Sequence, residues 1–166
     1  MGRDKALLVR RGVTFAESVR RALAAVCDEV YVSVRRGQAS PLRHLREVRD
    51  AGTGPLGGIA AGLAGLGAED WLAAVACDMP SVTAALVAYL LAAAQGHEAA
   101  VPVLDKVPQV ACAVWSGKLA EPAAGMVAIG HGALRELLKT ADFATVDATN
   151  YRIELKSFDS PADVSD

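Results

Sequence analysis

The sequence predicts a layered α/β fold with a mostly parallel sheet. Three observations carry this reading. Short β-branched or apolar runs alternate with segments of helical period along the chain. The run Trp71 to Ala76 is apolar throughout, as expected of a central parallel strand covered on both faces. The 166 residues, 52% of them hydrophobic, suit one domain with a substantial core.

The elements follow in chain order. Thr14 is an N-cap candidate, and Glu17 three residues later completes the capping-box spacing. From there Phe15, Val19, Ala22, Leu23 and Val26 share one helical face. Glu29 to Val34 is β-branched and bounded by charges, which predicts a strand; Leu45 to Arg49 predicts a second, after a polar loop over Arg35 to Arg43. Asp50 to Gly58 is too rich in glycine for regular structure and opens into an Ala/Leu helix ending near Gly65 or Gly67. After the Trp71–Ala76 strand and the turn Cys77-Asp78-Met79-Pro80, a helix is expected over Val82 to Ala94. Strands follow at Ala99 to Val103 and Val110 to Trp115, joined by a loop holding Asp105, Lys106 and Pro108. Helices over Lys118 to Ala124 and Gly132 to Lys139, then a strand over Phe143 to Val146, complete the pattern; Ser160 to Asp163 begins a last helix.

Composition excludes several classes. No apolar run reaches the roughly 18 residues of a membrane span, because Gly, Asp and Pro interrupt each candidate. Met1 is followed at once by Gly2, Arg3, Asp4 and Lys5, which is not a signal-peptide pattern, so a cytoplasmic chain is expected. Cys27, Cys77 and Cys112 are odd in number and lack C-x-x-C spacing, which argues against a disulfide framework or zinc site and for small buried hydrophobes. A net charge of −2 speaks against nucleic-acid binding. The charge is uneven, however: residues 1–49 carry +6 and the remainder −8. A basic first third suits a phosphorylated ligand, although such charges also serve as ordinary solvated faces.

Three motifs carry chemistry. Asp78 follows an apolar strand, where open α/β sheets bind ligands, and a carboxylate there suits Mg²⁺ shared with substrate phosphates; the alternative is a helix cap. Asp50 precedes Gly54-Pro55-Leu56-Gly57-Gly58, a loop whose glycines admit close backbone approach; the alternative is a plain strand-to-helix turn. An ionised carboxylate at that loop start can accept from guanine N1–H and the 2-amino group. Lys5, within Gly2-Arg3-Asp4-Lys5-Ala6-Leu7-Leu8, suits a triphosphate contact or simple solvation.

Taken together, the series M-G-x-D-K-A-L-L, D-x-x-x-G-P-L-G-G-I-x-x-G-L and A-C-D-M-P resembles the molybdenum cofactor guanylyltransferases, the MobA family. Pro108-Gln109 and Gly132-Ala-Leu-Arg135 are similar to later segments of that family, so the resemblance covers essentially the whole chain. It implies a single nucleotidyltransferase domain over residues 1–166, three-layered, Rossmann-like and glycosyltransferase-A-like. The implied reaction transfers GMP from GTP to the terminal phosphate of molybdopterin and releases pyrophosphate. By resemblance, Lys5 contacts the phosphates, Asp50 reads guanine, and Gly54, Pro55, Leu56, Gly57 and Gly58 form the base and ribose loop. The resemblance further implies Lys5 and Asp78 as the catalytic pair and Asp78 as the Mg²⁺ ligand, with Asp159 a further candidate ligand that suits a cap for the final helix somewhat better. Other proteins of molybdenum-cofactor biosynthesis, or molybdoenzyme apoproteins, are the implied partners.

Two departures stand out. The family opens with a strand and a glycine loop of the form L-A-G-G-x-S-x-R directly before M-G-x-D-K, whereas this sequence starts at that Met. The expectation is that Met1 is internal to a longer protein, and that without the strand apolar surface and unpaired backbone are exposed. Transfer without the loop's N–H donors should be severely impaired. Near the end, Ser157-Phe158-Asp159-Ser160-Pro161-Ala162-Asp163 stands where the family often shows N-x-N-T-P-E-D. The rival readings are a cytidylyl or other sugar- or alcohol-phosphate nucleotidyltransferase and a non-catalytic nucleotide-binding module. By resemblance, Cys77 before Asp78 favours guanylyl over cytidylyl transfer. His44, His97 and His131 share no metal-binding spacing, Trp71 and Trp115 suit the core, and Arg135 suits a molybdopterin phosphate or, more commonly, an exposed helix face, an ambiguity that Arg35, Arg36, Arg43, Arg46 and Arg49 share.

Overall fold

The computed structural model describes residues 4–50 and 54–158. A 3₁₀ turn over Lys5–Leu7 leads into a hairpin of β1 (Val9–Arg10) and β2 (Val13–Thr14). Its two-residue loop has φ of 52° at Arg11 and 78° at Gly12, the conformation that matches strand twist in tight hairpins. Helix α1 (Phe15–Ala24) starts on Thr14, whose hydroxyl accepts from the Glu17 N–H at 3.2 Å. Only half of the expected capping box forms, because the Glu17 carboxylate turns to Arg20 and Arg21.

Strands β3 (Tyr31–Arg35) and β4 (Arg46–Asp50) pair in parallel, with Arg35 opposite Asp50. Helix α2 (Pro55–Leu63) starts earlier than the glycine content predicts. Pro55 has the φ of a first helical residue, and Leu56, Gly57 and Gly58 fall in the first turn rather than in a loop. A Cβ at 58 would stand 3.0 Å from the Ser33 hydroxyl, which would have to turn aside.

The second sheet holds β5 (Trp71–Val75), β6 (Ala99–Leu104), β7 (Val107–Pro108), β8 (Cys112–Ser116) and β9 (Phe143–Asp147), interleaved with α3 (Ala84–Ala93), α4 (Ala120–Ala128) and α5 (Leu134–Thr140). It is mixed: β6 and β9 run parallel, whereas β8 lies antiparallel to both β5 and β6. Strand β5 thus gains one antiparallel neighbour and is only half-buried along its length, where its apolar run predicts full cover between parallel strands. The hairpin β6–β7 turns on Asp105 and Lys106, both with positive φ.

Alternation along the inner strands builds two cores, one on each face. Ala100, Cys112, Val114 and Val146 pack with Leu86, Val87 and Leu90 of α3 and Ala22 of α1. On the other face Ala99, Val101, Ala113 and Trp115 pack with Leu56, Ile59 and Leu63 of α2, Ala123 of α4, and Leu134, Leu137 and Leu138 of α5. Helix, sheet, helix is the resulting order, which is the three-layer α/β class. Among the described residues, no helix is long and apolar enough to cross a membrane. Asp159 and the Ser160–Asp163 helix lie outside the described residues.

Candidate functional site

The site gathers at the carboxyl ends of β3, β4 and β5. Parallel β3 and β4 deliver Ser33, Arg35 and Asp50 there, and the turn after β5 delivers Cys77 and Asp78. These residues, with Asp4 and Lys5, line one cleft of about 310 Å³. Asp50 and Asp78, 28 positions apart in sequence, therefore face a shared space.

Lys5 is held by the 3₁₀ turn, which Asp4 caps by accepting from the Ala6 N–H at 3.1 Å. The other Asp4 oxygen accepts from Gln38 at 3.2 Å, tying the turn to the loop after β3. From the turn, the Lys5 ammonium reaches the Asp78 carboxylate at 3.4 Å. Side chains of Lys5 and Asp78 remain 43% and 23% exposed, so both are accessible to a ligand. The Asp78 backbone carbonyl accepts from the Phe158 N–H at 2.9 Å, which pins the turn beneath the side chain.

Gly54 shapes the neighbouring wall. Its φ of 84° and ψ of −166° lie in a region reserved for glycine, and a Cβ would sit 2.9 Å from the Gly132 carbonyl oxygen. That carbonyl accepts the Leu56 N–H at 3.1 Å, docking the start of α2 on the segment before α5. Gly54, Pro55 and Gly58 line a wider cleft of about 1530 Å³, which also contains Asp50, Asp78, Gln109 and Arg135. Leu56 and Gly57 stand apart. The Leu56 side chain is fully buried in the core, and Gly57 donates its N–H back to the Gly54 carbonyl, so neither presents a side chain to the cleft.

Cys77, between the apolar strand and Asp78, is a neutral thiol: burial pushes its pKa up, reinforced by the Asp4 and Asp78 carboxylates. Cys112 is pushed up to about 12 by burial, and Cys27 is raised by burial and then by Asp28. None has the surroundings of a nucleophile. Trp115 is fully buried, as expected of a core residue. Arg46 lies over the Tyr31 ring and Arg49 bonds Glu47, while Arg35 lines the cleft. His97 bonds Asp142 at 3.1 Å, far along the chain from the site residues.

Residue-by-residue reading missed Ser33 and Gln38 and gave Arg35 no specific role. Their signal was positional: a strand end beside another strand end that already carried Asp50. For a divalent ion the donors are sparse. Among the described residues no group of three His, Cys, Asp or Glu stands ready to chelate one. The partly exposed Asp78 carboxylate, in a cleft it shares with Asp4 and Asp50, nevertheless fits Mg²⁺, which keeps waters and takes its other oxygens from substrate phosphates.

Comparison with known proteins places this geometry in context. Residues 1–146 match the family model of the MobA-like NTP transferase domain. A molybdenum cofactor guanylyltransferase of Pseudomonas putida is 30% identical over 178 aligned positions, covering 99% of this chain and 88% of the relative. A probable molybdenum cofactor guanylyltransferase of Opitutus terrae is 44% identical over 91 positions, covering 51% of this chain and 45% of the relative. The chain thus spans less than half the length of the Opitutus relative. The fold matches the crystal structure of molybdopterin-guanine dinucleotide biosynthesis protein A from Archaeoglobus fulgidus with a TM-score of 0.81 at 19% identity, covering 98% of this chain and 88% of that one.

Proposed function

The chain belongs to the MobA-like NTP transferase domain family, and on that premise we propose that it transfers GMP from GTP to the terminal phosphate of molybdopterin. The observation that carries the reading is the convergence of Lys5, Asp50 and Asp78 on one cleft at the strand ends. Relatives named as molybdenum cofactor guanylyltransferases supply the identity of the nucleotide and the acceptor.

In the reaction, an oxygen of the acceptor phosphate attacks the α-phosphorus of GTP. The new P–O bond forms as the α–β bridging bond breaks, and pyrophosphate carries away the electron pair. Such chemistry asks a protein chiefly for positioning and charge neutralisation. Asp50 accepts from the N1–H and 2-amino group of guanine, an arrangement that cytosine cannot reproduce. The rigid Gly54 turn and Pro55 hold the cleft wall against which base and ribose lie. Lys5, tethered by its capped turn, offsets negative charge on the phosphates. Asp78, with Asp159 as a second candidate, is the residue to hold Mg²⁺. When bound, that ion neutralises phosphate charge and favours departure of pyrophosphate. No enzyme nucleophile is needed, which agrees with three thiols kept protonated.

Pyrophosphate release with molybdopterin, GTP or CTP, and Mg²⁺ tests the proposal. Turnover with GTP supports it. Turnover preferring CTP makes the chain a cytidylyltransferase, and GTP binding without turnover makes it a binding module; either result overturns guanylyl transfer.

A further inference from the structure

Two side chains of one short segment reach the two ends of the Asp78 turn. Lys5, in the 3₁₀ turn, meets the Asp78 carboxylate at 3.4 Å. Arg10, on β1 of the same segment, donates from Nη1 to the Ser81 hydroxyl at 3.0 Å. Between these ends Met79 is buried in the core, which fixes the middle of the turn. A third contact closes the arrangement. The Arg10 guanidinium lies 4.9 Å from the centroid of the Phe158 ring, and the Phe158 N–H is the donor that holds the Asp78 carbonyl at 2.9 Å. Phe158 is buried edge-on against Phe15 of α1, with ring centroids 5.6 Å apart. Arg10 therefore touches Ser81 at one end of the turn and the residue that grips the other end.

Packing alone does not call for a guanidinium at this place. Among the described residues no carboxylate pairs with Arg10, and its Nε is buried without a hydrogen-bond partner. An unpaired buried donor is a cost that an aliphatic side chain over Phe158 would avoid. What the guanidinium adds is a donor for Ser81 on a plane that also lies against the ring. Nor does a ligand compete for it, because Arg10, Ser81 and Phe158 line neither cleft. The Lys5–Asp78 contact is different. When Lys5 turns to phosphate and Asp78 to a metal ion, that ion pair opens and no longer sets the spacing of the two groups.

We propose that Arg10 is a positioning residue for the transfer site. Through Ser81 and Phe158 it keeps the Asp78 turn in register with the Lys5 turn after their ion pair opens, so that carboxylate and ammonium act on the same phosphates. The inference rests on the transfer reading, since it takes Asp78 as the Mg²⁺ ligand.

The test compares Arg10→Leu, Ser81→Ala, their double variant and Ser81→Thr with the parent chain. Two readouts need no turnover. In the chain free of metal and nucleotide, amide exchange at Phe158 and across 78–82 should quicken about tenfold in Arg10→Leu, with α3 and β8 unchanged. Calorimetric titration of GTP with Mg²⁺ and with a chelator gives the gain in affinity due to the metal. That gain should shrink about five- to tenfold in Arg10→Leu and Ser81→Ala, while metal-free affinity stays within about twofold. In pyrophosphate release, kcat should fall about tenfold at an unchanged KM for GTP. The double variant should be no worse than Arg10→Leu, and Ser81→Thr, which keeps the acceptor, should match the parent within about twofold. Variants that gain from Mg²⁺ as much as the parent, losses that multiply in the double variant, or faster exchange throughout the chain would overturn the proposal. A parent chain whose GTP binding gains nothing from Mg²⁺ would instead overturn the reading of Asp78, and the inference would fall with it.

Discussion

Replacing Gly54 by alanine tests how the cleft wall is held. Two costs add. The backbone at φ 84° and ψ −166° excludes a Cβ at about 1–3 kcal/mol. That Cβ would also stand 2.9 Å from the Gly132 carbonyl oxygen, which must withdraw and weaken its 3.1 Å bond from the Leu56 N–H, worth about 1 kcal/mol. The sum is about 2–4 kcal/mol. With a urea slope of about 2 kcal/mol per molar, the midpoint should fall by about 1–2 M. Gly125→Ala is the matched control: it lies within α4 with nothing within 4 Å of its Cβ, and should gain about 0.5–1 kcal/mol. Urea unfolding of both variants by circular dichroism separates the two effects. A loss below about 0.5 kcal/mol for Gly54→Ala would refute the argument that this turn is held rigid.

Three further outcomes follow from the site and its supports. Asp78→Ala should lower GTP-dependent pyrophosphate release by about 10²-fold or more while moving the thermal midpoint little, because its exposed ion pair with Lys5 adds under about 1 kcal/mol; retained turnover would remove Asp78 from the site. The Arg20 guanidinium, helped by Arg21 against the cost of burial, holds the Glu17 carboxyl at about 2 rather than 4.5. A carboxyl depressed in the folded state stabilises fully above pH 4.5 and loses that contribution as pH falls towards 2, so Glu17→Gln should cost about 1 kcal/mol at pH 7 and almost nothing at pH 2. Finally, iodoacetamide at pH 8 should leave Cys112 unmodified in the native protein and label it after unfolding, as peptide mass mapping will show; rapid native labelling would contradict its burial.

Much of the fold is legible in local patterns. Thr14 caps α1 as its spacing implies, and the apolar runs at 71–75, 99–104 and 112–116 are strands. What local pattern could not give was pairing. An apolar run without alternation reads as a strand between parallel neighbours, yet β5 has a single antiparallel neighbour in β8, a choice made by long-range topology. Gly57 and Gly58 mislead for a related reason: glycine disfavours helix by intrinsic propensity, but here Pro55 starts the helix and the close approach of the Ser33 hydroxyl favours a small residue at 58. At the site, Asp50 and Asp78 are visible in sequence because the first ends a strand before a glycine-rich turn and the second lies in the proline turn after another. Ser33 and Gln38 are not, since their place depends on β3 lying beside β4 and on Asp4 folding back over the loop.

The central claim is that a single guanine nucleotide spans Asp50 and Asp78. Calorimetric titration of GTP and of inosine triphosphate, which lacks the 2-amino group, into the chain and its Asp50→Asn variant addresses it most directly. The parent should favour GTP by about tenfold, the worth of one hydrogen bond to a charged acceptor, and the variant should lose that preference while still binding triphosphate. An undiminished preference for GTP in Asp50→Asn would show that the base is read elsewhere.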